Sequence, residues 1–169
     1  DYRPNLWGLA GHAAGEERYI RSERVSEHLQ SVLADCDLIV GTEEEIRIAG
    51  GTDDALSSLR RIRTLSSAVL VLKRGPMGCI VFPGPIPADV EDGIVGKGFP
   101  VEVYNVLGAG DAFSGGLIVS RLENRGWDEA VRFATATSAL KHRIPGAFCL
   151  VPRTQVDQPL LRASLRLSR

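Results

Sequence analysis

Two rhythms of apolar residues alternate along this chain, one helical and one of short unbroken runs, and the switches between them mark its elements. From about Ser22 to Ala34, Val25, Leu29, Val32 and Leu33 fall on one face of a helix. Asp37-Leu-Ile-Val40 predicts a short buried strand. Thr42 then stands before Glu43-Glu44-Glu45. Threonine is a favoured cap and acidic side chains suit the positive end of a helix, so a helix is expected to start there and to end at Gly50-Gly51. Thr52 is expected to cap the next helix, whose apolar positions are Ala55, Leu56, Leu59, Ile62 and Leu65. Ala68 to Leu72 is a strand-type run, and Gly75-Pro76-Met77-Gly78 turns it into Cys79-Ile-Val-Phe82 in the pattern of a hairpin. Residues 83–99 are broken by Pro and Gly and read as a loop or short edge strands, and Val101 to Val103 as another strand. A long helix is expected from near Gly108 to near Gly126, and a second from about Asp128 to Lys141, stopped by Pro145-Gly146. Asp1 to Trp7 looks extended, residues 8–18 form a Gly- and Ala-rich loop, and the last residues suggest a short amphipathic helix before a basic tail. Helices alternating with buried strands predict an α/β domain with helices on both faces of a sheet.

The chain has 169 residues and is 44% hydrophobic, enough for one domain with a real core. A net charge of −1 removes the general electrostatic case for nucleic acid or an anionic membrane. No apolar run reaches membrane-span length, and no signal peptide opens the chain. Cys36, Cys79 and Cys149 are odd in number and widely spaced, which argues against a disulfide framework and a zinc site. Buried free thiols in a reducing cytoplasm are the expectation.

The chemistry concentrates in Asn105-Val-Leu-Gly-Ala-Gly-Asp-Ala-Phe113. Three small residues let a turn approach a ligand closely, and the helix start that follows offers unpaired N–H groups and a positive dipole end. Such a place holds anions, phosphate above all. Asp111 lies in the first turn, where a carboxylate can serve as general base. Together these suggest phosphoryl transfer to a hydroxyl. The structural alternative is a turn that merely packs a helix against a strand. The segment lacks the Gly-Lys-Ser/Thr of a P-loop and the third glycine of a dinucleotide fingerprint. Gly115-Gly116 is expected to permit close helix packing. His12 and His28 have no partner motif, and His142 reads as a helix-end residue.

This segment resembles the C-terminal signature of the ribokinase-like (PfkB) carbohydrate kinases, with Asn105 and Val106 where that family usually has Asp-Thr. The resemblance implies a three-layer ribokinase-like α/β sandwich with a mostly parallel sheet, and Asp111 as the base that deprotonates a sugar hydroxymethyl group. It implies that the N–H groups of Gly108, Ala109 and Gly110 neutralise the transferred phosphoryl. Asp1-Tyr-Arg-Pro-Asn-Leu-Trp7 is similar to a family stretch that begins with asparagine. Gly41-Thr-Glu-Glu-Glu45 sits where the family has Asn-x-x-Glu, with Thr42 for the asparagine. Glu45 matches the glutamate that organises magnesium and its water, although these glutamates also suit a solvated helix start. Lys73-Arg-Gly-Pro-Met-Gly78 resembles the turn bordering the nucleotide phosphates, which assigns Lys73, Gly75 and Gly78 to ATP, with Lys73 or Arg74 to pair with phosphate; the alternative for either cation is an ordinary surface group at a hairpin. Ala134 to His142 and Pro145-Gly-Ala147 look like the helix and loop that close over adenine and ribose, which assigns Thr135, Ser138 and Gly146 there.

Within the family, Asp1-Tyr-Arg-Pro, Gly41-Thr-Glu-Glu-Glu, Lys73-Arg-Gly-Pro-Met-Gly and Gly98-Phe-Pro-Val-Glu-Val resemble 5-dehydro-2-deoxygluconokinase. Ala139-Leu-Lys-His with Pro-Gly-x-Phe148 is similar to 2-dehydro-3-deoxygluconokinase. The implied activity is ATP- and Mg2+-dependent phosphorylation of a sugar or keto-deoxy sugar acid, the first acceptor favoured. The resemblance admits a monovalent cation and a homodimer of the full-length protein. The family's sugar pocket and lid come largely from an N-terminal half that would precede Asp1, so the chain is expected to be the C-terminal nucleotide-binding and catalytic part of one domain. The alternative is a catalytically incomplete piece that binds nucleotide or assembles with a partner.

Overall fold

The computed structural model describes residues 23–158. The expectations for Asp1–Trp7, for residues 8–18 and for the basic tail lie outside them. The chain divides into two compact units, one running to Lys73 and including Phe82–Gly93, the other formed by Arg74–Val81 and the chain from Ile94 onward.

The first unit contains α1 (Glu23–Leu33), β1 (Leu38–Thr42), α2 (Glu43–Gly50), α3 (Ala55–Leu65) and β2 (Val69–Lys73). β1 and β2 are parallel, in a register that sets Val40 against Val71 and Thr42 against Lys73. Leu70, Val71 and Leu72 are all buried, as an unbroken apolar run demands. β1 is only half-buried over Leu38–Val40, more open than its sequence predicts. Leu59 and Ile62 of α3 and Ile46 and Ile48 of α2 complete the core.

Two sequence expectations need correction here. Val32 does not face inward with Leu33; it is exposed. Ser26 and Gln30 take the inward stripe instead, because they donate to the carbonyls of Ile48 (2.5 Å) and Ala49 (3.1 Å) on α2. The cap of α3 is Asp54, not Thr52, since the Asp54 carboxylate accepts the Ser57 N–H at 2.7 Å. Thr52 bonds the Asp54 carbonyl and the Ser58 hydroxyl. Gly50 meets Ser58 so closely that a Cβ would lie 2.5 Å from the Ser58 Cα.

The second unit contains β3 (Gly78–Phe82, its last residue counted with the first unit), β4 (Ile94–Lys97), α4 (Ala109–Leu122) and α5 (Trp127–Lys141). β3 and β4 are antiparallel, Cys79 opposite Gly96. The sheet is mixed, with a parallel pair in the first unit and an antiparallel pair in the second. The glycine pair divides its work. Gly116 sits against Ala134 and Thr137 of α5, whereas Gly115 is exposed with nothing near it. Val101–Val103 is not a strand. The chain beyond it is held differently, the N–H groups of Tyr104 and Asn105 both donating to the His142 carbonyl at 2.9 Å. Residues 153–158 are helical and bury Val156 beside Phe133 and Ala136. Of the three free thiols only Cys79 is buried; burial pushes it up to about 11. No helix among the described residues is long and apolar enough to cross a membrane.

Candidate active site

Glu45 and Lys73 come together in the first unit, and Gly108 to Asp111 form one turn in the second. In the first unit, β1 delivers Thr42 directly to the start of α2. The Thr42 hydroxyl accepts the Glu45 N–H (3.2 Å) while Glu45 Oε2 accepts the Thr42 N–H (2.8 Å), a complete capping box. Because Thr42 and Lys73 are register partners at the carboxyl ends of parallel strands, the same Oε2 stands 3.8 Å from Lys73 Nζ. Both side chains are mostly shielded, 17% and 22% exposed. Carboxyl ends of strands are where open α/β sheets place their ligands. Among the described residues no three His, Cys, Asp or Glu side chains gather as a metal cluster. A single hard carboxylate beside an ammonium fits a magnesium ion that keeps waters and phosphates as its main ligands, not an all-protein cage.

In the second unit, the turn into α4 is built by Asn105, whose Oδ1 accepts the Leu107 N–H at 2.7 Å. Gly108 follows at φ 79°, and a Cβ there would lie 1.8 Å from the Ala147 carbonyl oxygen. Only glycine meets both conditions. Ala109 is buried, and its N–H donates to the Val106 carbonyl at 3.2 Å. Among the described residues, the N–H groups of Gly108, Gly110 and Asp111 have no acceptor. Asp111 is exposed in the first turn of α4. The arrangement therefore offers three amides and a carboxylate within four consecutive residues.

The remaining assigned residues also lie in the second unit. Gly75 opens the exposed turn of Gly75–Met77 at φ 56°, and Gly78 closes it at φ 93°, its carbonyl accepting the Arg74 N–H at 2.8 Å. Thr135 is buried and its hydroxyl donates within α5 to the Val131 carbonyl at 2.8 Å. The Ser138 carbonyl lies 2.8 Å from His142 Nδ1, which confirms His142 as a helix-end residue. Gly146 is exposed at φ 79° with open space around it. Sequence reasoning missed the tie from Tyr104 and Asn105 to His142, because backbone bonds leave no residue-type signal. It also passed over Lys141, which is fully buried.

The pfkB family carbohydrate kinase model matches residues 8–149. The chain belongs to the PfkB carbohydrate kinases. This PfkB chain is 29% identical over 154 residues to adenosine kinase of Schizosaccharomyces pombe, covering 82% of the chain and 43% of that relative. It is also 29% identical over 110 residues to 5-dehydro-2-deoxygluconokinase of Photobacterium profundum, covering 62% of the chain and 31% of the relative. Equal identity to kinases of different acceptors does not single out one of them. Among solved structures, an E. coli protein described as a ribokinase II in complex with ATP and Mg2+ superposes with a TM-score of 0.70 at 20% identity, over 80% of this chain and 42% of that one. The PfkB chain thus has the ribokinase-like α/β fold and spans less than half the length of these relatives.

Proposed function

We propose that this PfkB protein transfers the terminal phosphoryl group of ATP to a hydroxymethyl group of a sugar or keto-deoxy sugar acid, 5-dehydro-2-deoxygluconate being the favoured acceptor. The observation that carries the reading is the start of α4, where an exposed carboxylate stands among backbone amides that have no acceptor among the described residues. Asp111 takes the acceptor's hydroxyl proton as its oxygen attacks the γ-phosphorus and the bond to the bridging oxygen breaks, releasing ADP. The Gly108 and Gly110 amides, joined by that of Asp111, stabilise the charge of the moving phosphoryl group. The Ala109 amide, already bonded to Val106, holds the turn's shape. Lys73, Gly75 and Gly78 border the nucleotide phosphates. Ser138 and Gly146 border adenine and ribose; a contact from Thr135 would require its hydroxyl to leave Val131. Glu45 is the residue that would organise magnesium through its water shell, supplying charge neutralisation at the phosphates. The preference for the deoxy keto acid rests on the similarity of the segments at Gly41, Lys73 and Gly98.

The test combines an acceptor screen with the Asp111→Asn variant. Turnover is expected to fall by about two to four orders of magnitude, with Mg-ATP binding by calorimetry unchanged. Near-normal turnover of the variant would remove Asp111 as the base. Mg-ATP binding with no transfer to any sugar or sugar acid would favour a nucleotide-binding module over a kinase.

A further inference from the structure

Lys141 is the one charged side chain that is buried among the described residues, with 0% of its surface exposed. It ends α5, and its Nζ donates to the Ile144 carbonyl at 3.0 Å. No carboxylate of the described residues lies within ion-pair distance of it. An ammonium taken from water is costly unless fixed dipoles replace its hydration. The carbonyl end of a helix supplies such dipoles, and here the chain doubles back to bring one more.

The turn it grips is a seat for the anion site. The Arg143 N–H donates to the Leu140 carbonyl (3.1 Å), and the Ile144 N–H to the Lys141 carbonyl (3.0 Å), so the turn continues directly from α5. The His142 carbonyl receives both Tyr104 and Asn105, which lead into the Gly108 turn. The Ala147 carbonyl occupies the space a Cβ of Gly108 would need. Residues 142–147 therefore touch the segment 104–108 at two points, and Lys141 fixes them from within.

We infer that Lys141 is a positioning residue for phosphoryl transfer, a built-in cation that holds the 142–147 turn and, through it, the Gly108–Asp111 anion turn. This rests on the kinase reading above, but its structural half is measurable without turnover. In the full-length protein, Lys141→Met keeps the apolar stem and removes the charge. Hydrogen exchange is expected to rise about tenfold or more in the peptide covering 104–113 and to stay unchanged over α3. Turnover is expected to fall about tenfold or more, with the acceptor KM changed less than about threefold, because misplacement acts on the transition state. Lys141→Ala leaves room for a small cation, so added ammonium is expected to restore part of its turnover and protection, while tetramethylammonium is expected to do neither. Unchanged exchange at 104–113 in both variants would overturn the inference. So would collapse of the fold in both variants with no recovery in ammonium, which would make Lys141 a folding residue only. A parent protein that phosphorylates nothing would reject the kinase reading, and raised exchange at 104–113 would still support Lys141 as the holder of that turn.

Discussion

Gly108 holds a backbone conformation that a side chain would both strain and obstruct, and Gly146 separates the two effects. Both have φ 79°, but a Cβ at Gly146 meets open space while one at Gly108 runs into Ala147. Gly146→Ala is expected to cost about 1–2 kcal/mol, the strain of the left-handed region alone. Gly108→Ala should cost clearly more in urea denaturation, with turnover lost even where the protein stays folded; equal costs would mean that Ala147 moves aside. At the same scale, the thiol of Cys79 is both buried and pushed up to about 11 by that burial. Iodoacetamide at neutral pH is therefore expected to label half-exposed Cys36 and Cys149 but to spare Cys79 until denaturant is added. Mass spectrometry of the native, labelled protein checks this directly.

Among the elements, α2 puts its cap and its proposed magnesium-organising carboxylate on the same atom, since Glu45 Oε2 both completes the capping box and faces Lys73. Two substitutions pull these apart. Thr42→Ala removes a cap and is expected to cost about 1 kcal/mol of stability. Glu45→Gln keeps a side chain that can close the box but removes the charge, so thermal stability should change little while the magnesium concentration needed for half-maximal turnover rises. A variant that instead melts early with an unchanged magnesium requirement would assign Glu45 to structure. This cap was legible in the sequence because threonine three residues before glutamate has a local cause. So were β2, whose burial shows as an unbroken apolar run, and α3, where Leu59 and Ile62 recur at helical spacing. The inward face of α1 was not, because Ser26 and Gln30 face in to satisfy carbonyls of a helix distant in sequence. Val101–Val103 carries β-branched residues yet forms no ladder, and propensity alone cannot supply the missing neighbour.

On the scale of the whole molecule, among the described residues each unit contains one carboxylate that folding acidifies. The Ser57 backbone N–H, together with its side-chain hydroxyl, holds Asp54 below the usual carboxylate range in the first unit. In the second, Arg153 hydrogen-bonds Glu123 and holds it low, tying the helical residues 153–158 to the end of α4. A carboxylate lowered by folding adds stability that is fully present above its unfolded pKa and is lost as pH falls through the folded value. Melting temperature should therefore drop on acidification below the ordinary carboxylate range, and Asp54→Asn with Glu123→Gln should flatten that limb. A limb as steep as the parent's would place the acid sensitivity elsewhere. The candidate site was legible at this scale only through its short motifs, since His142 and Ala147 meet the segment leading into the Gly108 turn through backbone carbonyls that any side chain could accompany. The turn of Gly75–Met77 shows a related property. Met77 is 63% exposed, yet a Cβ at Gly98 would lie 2.0 Å from the Pro76 carbonyl oxygen and one at Gly78 2.0 Å from that of Gly96. Backbone closes on backbone there, with no side chain between to yield. A protease must draw several residues into an extended strand before it can cut, and this loop has no slack to give. Among the described residues, nicking by a broad-specificity protease is expected to spare it and to fall first at Phe148–Leu150, where Phe148 and Leu150 stand in solvent and the chain has no regular structure to hold it.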